Sequence, residues 1–208
     1  SHDGVHPVEA GHQIYTQVIS AAMKQWKKAS KPLDHSAKLH RPFIAGHWQA
    51  ATIAPLSPAM LEGSWKALPT DSGLGKSFHH RLGTLWEGST PGDPLRFRFK
   101  GSSASLYDLL GPDGGQVVVT VDGVRQQKPV ARFDSYCTYH RLATLKLADG
   151  LDPAQEHEIV VEIHPEQPDR QPVAFRLKDP ERELREPKYQ GTRVRIGGIL
   201  LLGELCGS

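Results

Sequence analysis

Asparagine is absent from the 208-residue sequence, and cysteine, long apolar runs and clustered basic residues are scarce. The longest apolar run, residues 199–202, is far shorter than the roughly 20 residues needed to cross a bilayer, so no membrane span is expected. The 25 basic and 23 acidic residues nearly balance, and no basic run could follow a phosphate backbone, so nucleic acid is not an expected partner. Two cysteines, Cys137 and Cys206, cannot form a disulfide framework, although a single bridge between adjacent strands stays open.

The N-terminal region has the pattern of one amphipathic helix over residues 7–30, with Pro7 in the first turn and Glu9 near the positive helix end. Its apolar side chains recur at helical spacing: Tyr15, Val18, Ile19, Ala22 and Trp26. Such a stripe needs a surface to pack against. The sequence begins with Ser and shows no secretory signal. We therefore expect the stripe to pack on the downstream region or on an upstream domain outside this sequence.

The remainder of the chain is predicted to be mainly β. Residues 31–58 are rich in Pro, His, Ser and Ala, which is typical of a linker. Apolar residues then alternate over 95–99, 117–121 and 159–163, and further strands are expected near 104–109, 129–133, 141–147, 173–177 and 193–202. Turn residues separate them, for example Gly101-Ser102 and Asp122-Gly123. About eight strands predict a β-sandwich or jelly roll over residues 59–208.

The first residues contain the block Asp3-Gly4-Val5-His6-Pro7, followed by Ala10-Gly11-His12. This block resembles the last conserved segment of SGNH (GDSL-like) hydrolases, in which an Asp-x-x-His pair precedes the final helix of an α/β domain. The resemblance covers residues 1–30. It implies that His6 is the general base for a serine nucleophile and that Asp3 orients the imidazole and stabilises its protonated form. The alternative is that Asp3 caps the turn and His6 is a solvated loop residue.

The same family takes its nucleophile from a Gly-Asp-Ser block and part of its oxyanion hole from an Asn. This sequence contains no Asn, and Ser72 and Ser135 lie in turn-like contexts rather than after an apolar strand. We therefore expect residues 1–208 alone to be inactive as an esterase. The upstream SGNH catalytic domain of the same protein would supply the serine. The family also implies a secreted or periplasmic bacterial location.

The segment from Arg96 to His164, with the strand from Arg195 to Gly203, is similar to galactose-binding-like jelly-roll domains attached to carbohydrate esterases. The resemblance implies an acylated carbohydrate or similar ester as substrate. Sugar-binding aromatic residues could be Trp86, Tyr107, Tyr136 and Tyr139, although aromatic side chains in a sandwich more often serve packing. Asp108, Asp113, Asp122 and Asp134 are interpreted as turn residues. No metal site and no cofactor are expected.

Two functional hypotheses follow. The first is the C-terminal part of an SGNH-type ester hydrolase, with Asp3 and His6 acting on a serine outside this sequence. The second is a non-catalytic β-sandwich module that binds carbohydrate or protein. A sandwich that only braces a catalytic domain is a third reading of the same residues.

Overall fold

The computed structural model describes residues 4–29 and 47–207. The chain divides into two units, residues 1–47 and residues 48–208, which are described separately. The helices are α1 (Glu9–Ala29), α2 (Gly73–Leu82) and α3 (Pro180–Glu183), and short 3-10 turns lie at Trp48–Ala50, Pro58–Met60, Gln171–Val173 and Pro187–Tyr189. The strands are β1 (Thr52–Pro55), β2 (Lys66–Ala67), β3 (Trp86–Gly88), β4 (Pro94–Leu110), β5 (Gln116–Val121), β6 (Val124–Arg125), β7 (Val130–Ala131), β8 (Arg141–Asp149), β9 (Glu156–Ile163) and β10 (Val194–Leu205).

The described part of the first unit consists mainly of α1, which agrees closely with the predicted helix over 7–30. The helix begins at Glu9, so Pro7 lies just before the helix rather than within its first turn. Glu9 is in the first turn, and Lys27 and Lys28 are in the last turn. This charge distribution complements the helix dipole.

The second unit is an antiparallel, jelly-roll-like β-sandwich, and the predicted fold class is confirmed. The main strand order is β2-β3-β10-β4-β9-β5-β6, with β1 beside β10, β8 beside β4 and β7 beside β5. The first half of β4 pairs with β9 and its second half pairs with β8, while β10 runs antiparallel to β4 on its other edge. One strand therefore contributes to both layers of the sandwich.

The core of the sandwich is formed by the alternating positions that the sequence predicted. The residues at these positions are almost completely buried: Leu95, Phe97, Phe99, Val117, Val119, Ile159, Val161 and Ile163. Ile196, Ile199 and Leu201 of β10 pack against them from the neighbouring strand. Period-two alternation in the sequence thus gives one apolar face per strand.

The outer face of β4 and β9 carries a ladder of opposite charges. Arg98 forms ion pairs with Glu156 and Glu158, and Arg96 pairs with Glu158 and Glu62. Each exposed pair contributes little stability. Their combined effect is a face covered by charge, because long charged side chains occupy the positions between the buried ones.

Three predictions about strands and linkers were wrong. The Gly101-Ser102 turn is instead a bulge within the 17-residue strand β4. Gly101 has a φ of 156°, and a Cβ atom there would lie 2.4 Å from the Leu202 carbonyl oxygen. The predicted linker 31–58 overlaps β1, whose residues pair with Gly198 to Leu201 of β10. The sandwich therefore begins before residue 59.

The third of these errors concerns residues 173–177, which were expected to form a strand. The structure has the 3-10 turn Gln171–Val173 followed by further turns, because Pro172 lacks an N–H and fixes φ for a turn. Helix α2 was not predicted at all. Residues 179–188 contain the short helix α3, which Asp179 caps by accepting a hydrogen bond from the Arg182 N–H.

Candidate functional site

The first candidate site is the turn that precedes α1. Gly4, Val5 and His6 form bends, and Gly4 has a φ of 75°, which favours glycine. A Cβ atom on Gly11 would lie only 2.9 Å from the Pro7 Cβ, so the helix and the turn approach closely at this point. The spacing of Pro7 and Gly11 thus braces the turn that carries His6. Asp3 lies outside the described residues, so its pairing with His6 stays a prediction.

Helix α1 exposes its apolar stripe. None of its residues is buried. The large apolar side chains are between 57% and 65% exposed: Ile14, Tyr15, Val18, Ile19, Met23 and Trp26. A stripe of this size on a stable helix normally packs against another surface. Within the described residues 4–29, the first unit therefore presents both the predicted general base and an exposed apolar face.

The four predicted sugar-contacting aromatic residues fall into two groups. Trp86 in β3 packs against the main core, and Tyr107 in β4 packs against the cluster of Leu82, Leu85 and Leu109 beneath α2. Tyr136 and Tyr139 lie together in the loop between β7 and β8, and both are largely exposed. Of the four, the structure therefore leaves Tyr136 and Tyr139 exposed, three residues apart in one loop.

The predicted serine alternatives have no catalytic surroundings in the part of the chain described. Ser72 precedes α2, and Ser135 lies in the turn that contains Tyr136. Across residues 4–29 and 47–207, neither hydroxyl donates a hydrogen bond to a histidine. The location of the nucleophile therefore stays a prediction.

A charged network occupies one end of the sandwich. The Arg195 guanidinium is 4% exposed and donates to both carboxylate oxygens of Asp113 at 2.7 and 2.8 Å and to Glu87 at 2.6 Å. The ring of His140 lies 3.3 Å from Asp113. Burial alone would raise the pKa of Asp113, but the hydrogen bonds from Arg195 and His140 hold it far below its ordinary value. The network thus fixes Asp113 as a permanent carboxylate.

A second buried pair lies under the exposed loops. Arg132 donates to Asp108 at 2.6 Å, and both side chains are almost completely buried. Burial raises the pKa of Asp108, and the Arg132 charge opposes this effect. Asp108 lies within β4 and Asp113 belongs to the network described above, so neither acts only as the turn residue that we predicted.

Both cysteines are free thiols, which answers the question that the sequence left open. Cys137 is buried, and burial raises the pKa of its thiol to about 12. A thiol with this pKa stays protonated at neutral pH and is a poor nucleophile. Cys137 instead belongs to a small core with Leu110, Phe133 and Tyr189, here called the loop core.

An open groove of about 900 Å³ lies beside β1 and the end of β10. Its walls are mainly apolar and include Met60, Phe97, Leu201 and Leu205. None of the predicted site residues lines it. In the same described residues, no group of three His, Cys, Asp or Glu side chains could hold a metal ion, and no helix is long and apolar enough to cross a membrane.

Comparison with solved structures identifies similar folds. The chain is similar to a two-domain esterase active on acetylated mannans and co-crystallised with mannopentaose, with 15% identity and a TM-score of 0.63. That match covers 98% of this chain and 48% of the esterase chain. A second structure of a two-domain esterase active on acetylated mannans gives 13% identity and a TM-score of 0.65, covering 96% and 48%. The fold resembles one half of that esterase.

At these identities the likeness establishes the fold alone. The chain spans about half the length of the structures it matches. No protein-family model matches the sequence, and no curated protein sequence matches it either. The activity of the neighbouring esterase therefore enters only as part of a proposal.

Sequence reasoning missed several polar residues at the end of the sandwich and in its loops. Arg195 and Asp113 are 82 residues apart in the sequence, so no local pattern could pair them. Phe175 and Arg176 were placed in a strand, where one of them would face inward. Pro172, directly before that segment, was the available turn signal, because proline fixes φ and lacks an N–H.

Proposed function

We propose that the chain is the C-terminal part of an SGNH-type ester hydrolase that removes acyl groups from a carbohydrate. The observation that carries the proposal is the open apolar stripe of α1, which directly follows the turn bearing His6. A catalytic domain packed on this stripe would bring its serine to the imidazole. The likeness of the fold to about half of a two-domain esterase active on acetylated mannans supports the proposal that another domain completes the enzyme.

The proposed chemistry follows from the residues in the turn. His6 would accept the serine hydroxyl proton as the oxygen attacks the ester carbonyl, and it would then deliver that proton to the departing sugar hydroxyl. Asp3 would hold the imidazole in the tautomer that can accept the proton. Water would hydrolyse the acyl-enzyme by the same proton route. The tetrahedral oxyanion would be stabilised by donors of the upstream domain.

A longer protein that includes the upstream region tests the role of His6. We expect His6→Ala to reduce the hydrolysis of acetylated mannan and of an aryl acetate by several orders of magnitude, because the serine loses its base. The matched control is His12→Ala on the first turns of α1, which should stay close to the parent rate. Activity of His6→Ala within a few-fold of the parent would remove His6 from the mechanism.

The non-catalytic binding module remains the second candidate because Tyr136 and Tyr139 are exposed on one loop. The esterase requires a catalytic domain in the upstream region, whereas the binding module does not. A longer protein with no esterase activity, together with carbohydrate binding by residues 1–208, would favour the binding module.

A further inference from the structure

A cluster of exposed aromatic side chains lies on two loops at one side of the sandwich. Within the described residues 48–207, six large apolar side chains are exposed: Trp48, Ile53, Val124, Tyr136, Tyr139 and Phe175. Three of these six belong to the loops 134–140 and 170–178. Together with Arg176 they form what we call the loop surface: Tyr136, Tyr139, Phe175 and Arg176.

The loop core holds both loops in place from below. Cys137, next to Tyr136, is a buried member of that core. Phe175 lies between Ala174, which is 2% exposed, and Leu177, which packs against the loop core. Phe175 is nevertheless 72% exposed. Its ring is therefore directed outward by a backbone that is anchored on both sides.

The Arg170 guanidinium adds polar anchors below the loop surface. Arg170 is buried, stacks on the Phe133 ring at 5.2 Å, and donates to the carbonyl oxygens of Gly114 at 2.7 Å and Gly191 at 3.0 Å. Buried hydrogen bonds of this kind restrict the loops. The exposed aromatic rings are thus preorganised, which lowers the entropy cost of binding a ligand.

The Arg176 guanidinium lies over the Tyr136 ring. Its central carbon is 3.8 Å from the ring centroid, and one of its nitrogens donates to the Tyr136 hydroxyl at 2.6 Å. Arg141 approaches the same ring at 5.6 Å. In the part of the chain that the structure describes, no carboxylate pairs with Arg176. Its remaining N–H groups are therefore available to a ligand beside the Phe175 ring.

We propose that the loop surface binds a neutral pyranose chain, namely the carbohydrate that carries the ester. This inference rests on the proposed function, in which the substrate is an acylated carbohydrate. Aromatic rings offer flat apolar surfaces to the C–H faces of a pyranose. Guanidinium N–H groups donate to its hydroxyl oxygens. Phe175 and Tyr139 supply the first kind of contact, and Arg176 supplies the second.

Other surfaces of the sandwich fit this ligand less well. The outer face of β4 and β9 is covered by the Arg96, Arg98, Glu156 and Glu158 ion pairs, which leave no exposed ring. Trp86 and Tyr107 are engaged in packing. The groove beside β1 is lined by both apolar and charged side chains, and the ring of Phe97, its aromatic lining residue, is buried.

The binding test uses the whole 208-residue chain and soluble deacetylated β-mannan as the probe, measured by affinity gel electrophoresis and isothermal titration calorimetry. The double variant Phe175→Ala and Arg176→Ala should weaken binding at least tenfold. Val124→Ala removes an equally exposed apolar side chain from the hairpin between β5 and β6 and should bind as the parent does. All of these variants should unfold at the parent temperature, because the side chains are exposed.

Ionic strength separates stacking from simple charge attraction. Binding to a neutral polymer should persist at high salt, whereas attraction of an acidic polymer to Arg176 would be screened. The proposal is overturned if the double variant binds mannan like the parent, if the parent does not bind mannan, or if only polygalacturonate binds with a steep salt dependence.

The esterase function is tested separately by the His6 variant on a small aryl ester. In the longer protein, the loop-surface variants should raise KM for acetylated mannan but leave aryl acetate hydrolysis unchanged. If the parent does not bind mannan but shows His6-dependent hydrolysis, the loop-surface proposal alone is overturned. Binding without hydrolysis would sink the esterase proposal alone.

Discussion

His157 is a buried side chain whose two ring nitrogens both lie close to oxygen acceptors. Nδ1 is 2.8 Å from the Asp122 carboxylate, and Nε2 is 2.9 Å from the Asp152 carbonyl oxygen. Only the protonated imidazole can donate both hydrogen bonds. The bond to the Asp152 carbonyl and the bond to Asp122 raise the pKa of His157. The ring thus links the hairpin at Asp122 to the loop before β9, and both contacts favour its protonated form.

The raised pKa predicts a loss of stability with increasing pH. Stabilisation by His157 should be complete below the ordinary histidine pKa of about 6.5 and should disappear as pH rises through the raised folded-state value. We expect the urea midpoint to fall between pH 6 and pH 9. In His157→Gln this fall should be smaller, whereas His80→Gln on the exposed face of α2 should keep it. A fall of equal size in His157→Gln would assign the effect to other groups.

For single residues, sequence patterns predict an environment or interaction only where the partners are close in the chain. Glu9 could be assigned to the first turn of α1 because a carboxylate near the start of a helix is a local pattern. The partners of His157 and Arg195 come from distant loops, so neither pair has a local pattern. The exposure of Phe175 also could not be predicted from the sequence, since it depends on the loop core, which forms only in the folded chain.

Helix α2 packs on the outer side of β4 and β10 through Leu82. This side chain is 5% exposed and lies in a cluster with Leu85 and Leu109. A Cβ atom on Gly197 of β10 would lie 2.4 Å from the Leu82 Cβ. The absence of a side chain at Gly197 therefore creates the space in which the end of α2 sits.

Removal of the Leu82 side chain tests how much the packing of α2 contributes to the free energy of unfolding. Leu82→Ala should lower the free energy of unfolding by about 2–5 kcal/mol, because it leaves a cavity between α2 and the sheet. Lys76→Ala, on the exposed face of the same helix, should change it by less than about 0.5 kcal/mol. Urea denaturation monitored by tryptophan fluorescence gives both values. Equal effects of the two substitutions would mean that α2 does not depend on this packing.

The strands and α1 could be predicted because their apolar residues recur with a period of two or along a helical stripe. Helix α2 had a signal as well: Leu74, Phe78 and Leu82 are spaced by four, between Ser72 and Gly83. The segment is short and contains two glycines, so the pattern was overlooked. The continuity of β4 through Gly101 could not be predicted, since a glycine next to serine is equally typical of a turn.

For the whole molecule, the contrast between the two units predicts different protection from hydrogen exchange. The amides of β4 and β9 lie beside a buried core, whereas α1 has no buried residue to stabilise it. Helices without tertiary packing are marginal in water. In the 208-residue chain, α1 should exchange much faster than β9. In the longer protein, α1 should become protected at least tenfold if a catalytic domain covers its stripe.

Exchange measured by mass spectrometry on both proteins distinguishes the outcomes. Slow exchange of α1 in the short chain would show that its stripe is already covered. Unchanged fast exchange in the longer protein would argue against packing of an upstream domain there. The jelly-roll fold itself was predictable from strand number and turn residues, but the strand order was not, because pairing between β4 and β10 joins residues about a hundred positions apart.

The course of β4 through both layers has a practical consequence for dividing or extending the protein. A chain cut within this strand would leave neither piece with a complete layer, so the sandwich cannot be split into independently folding halves along the sequence. Insertions and labels belong instead at the exposed residues 126–128, where the chain passes from β6 to β7 at the margin of the sheet.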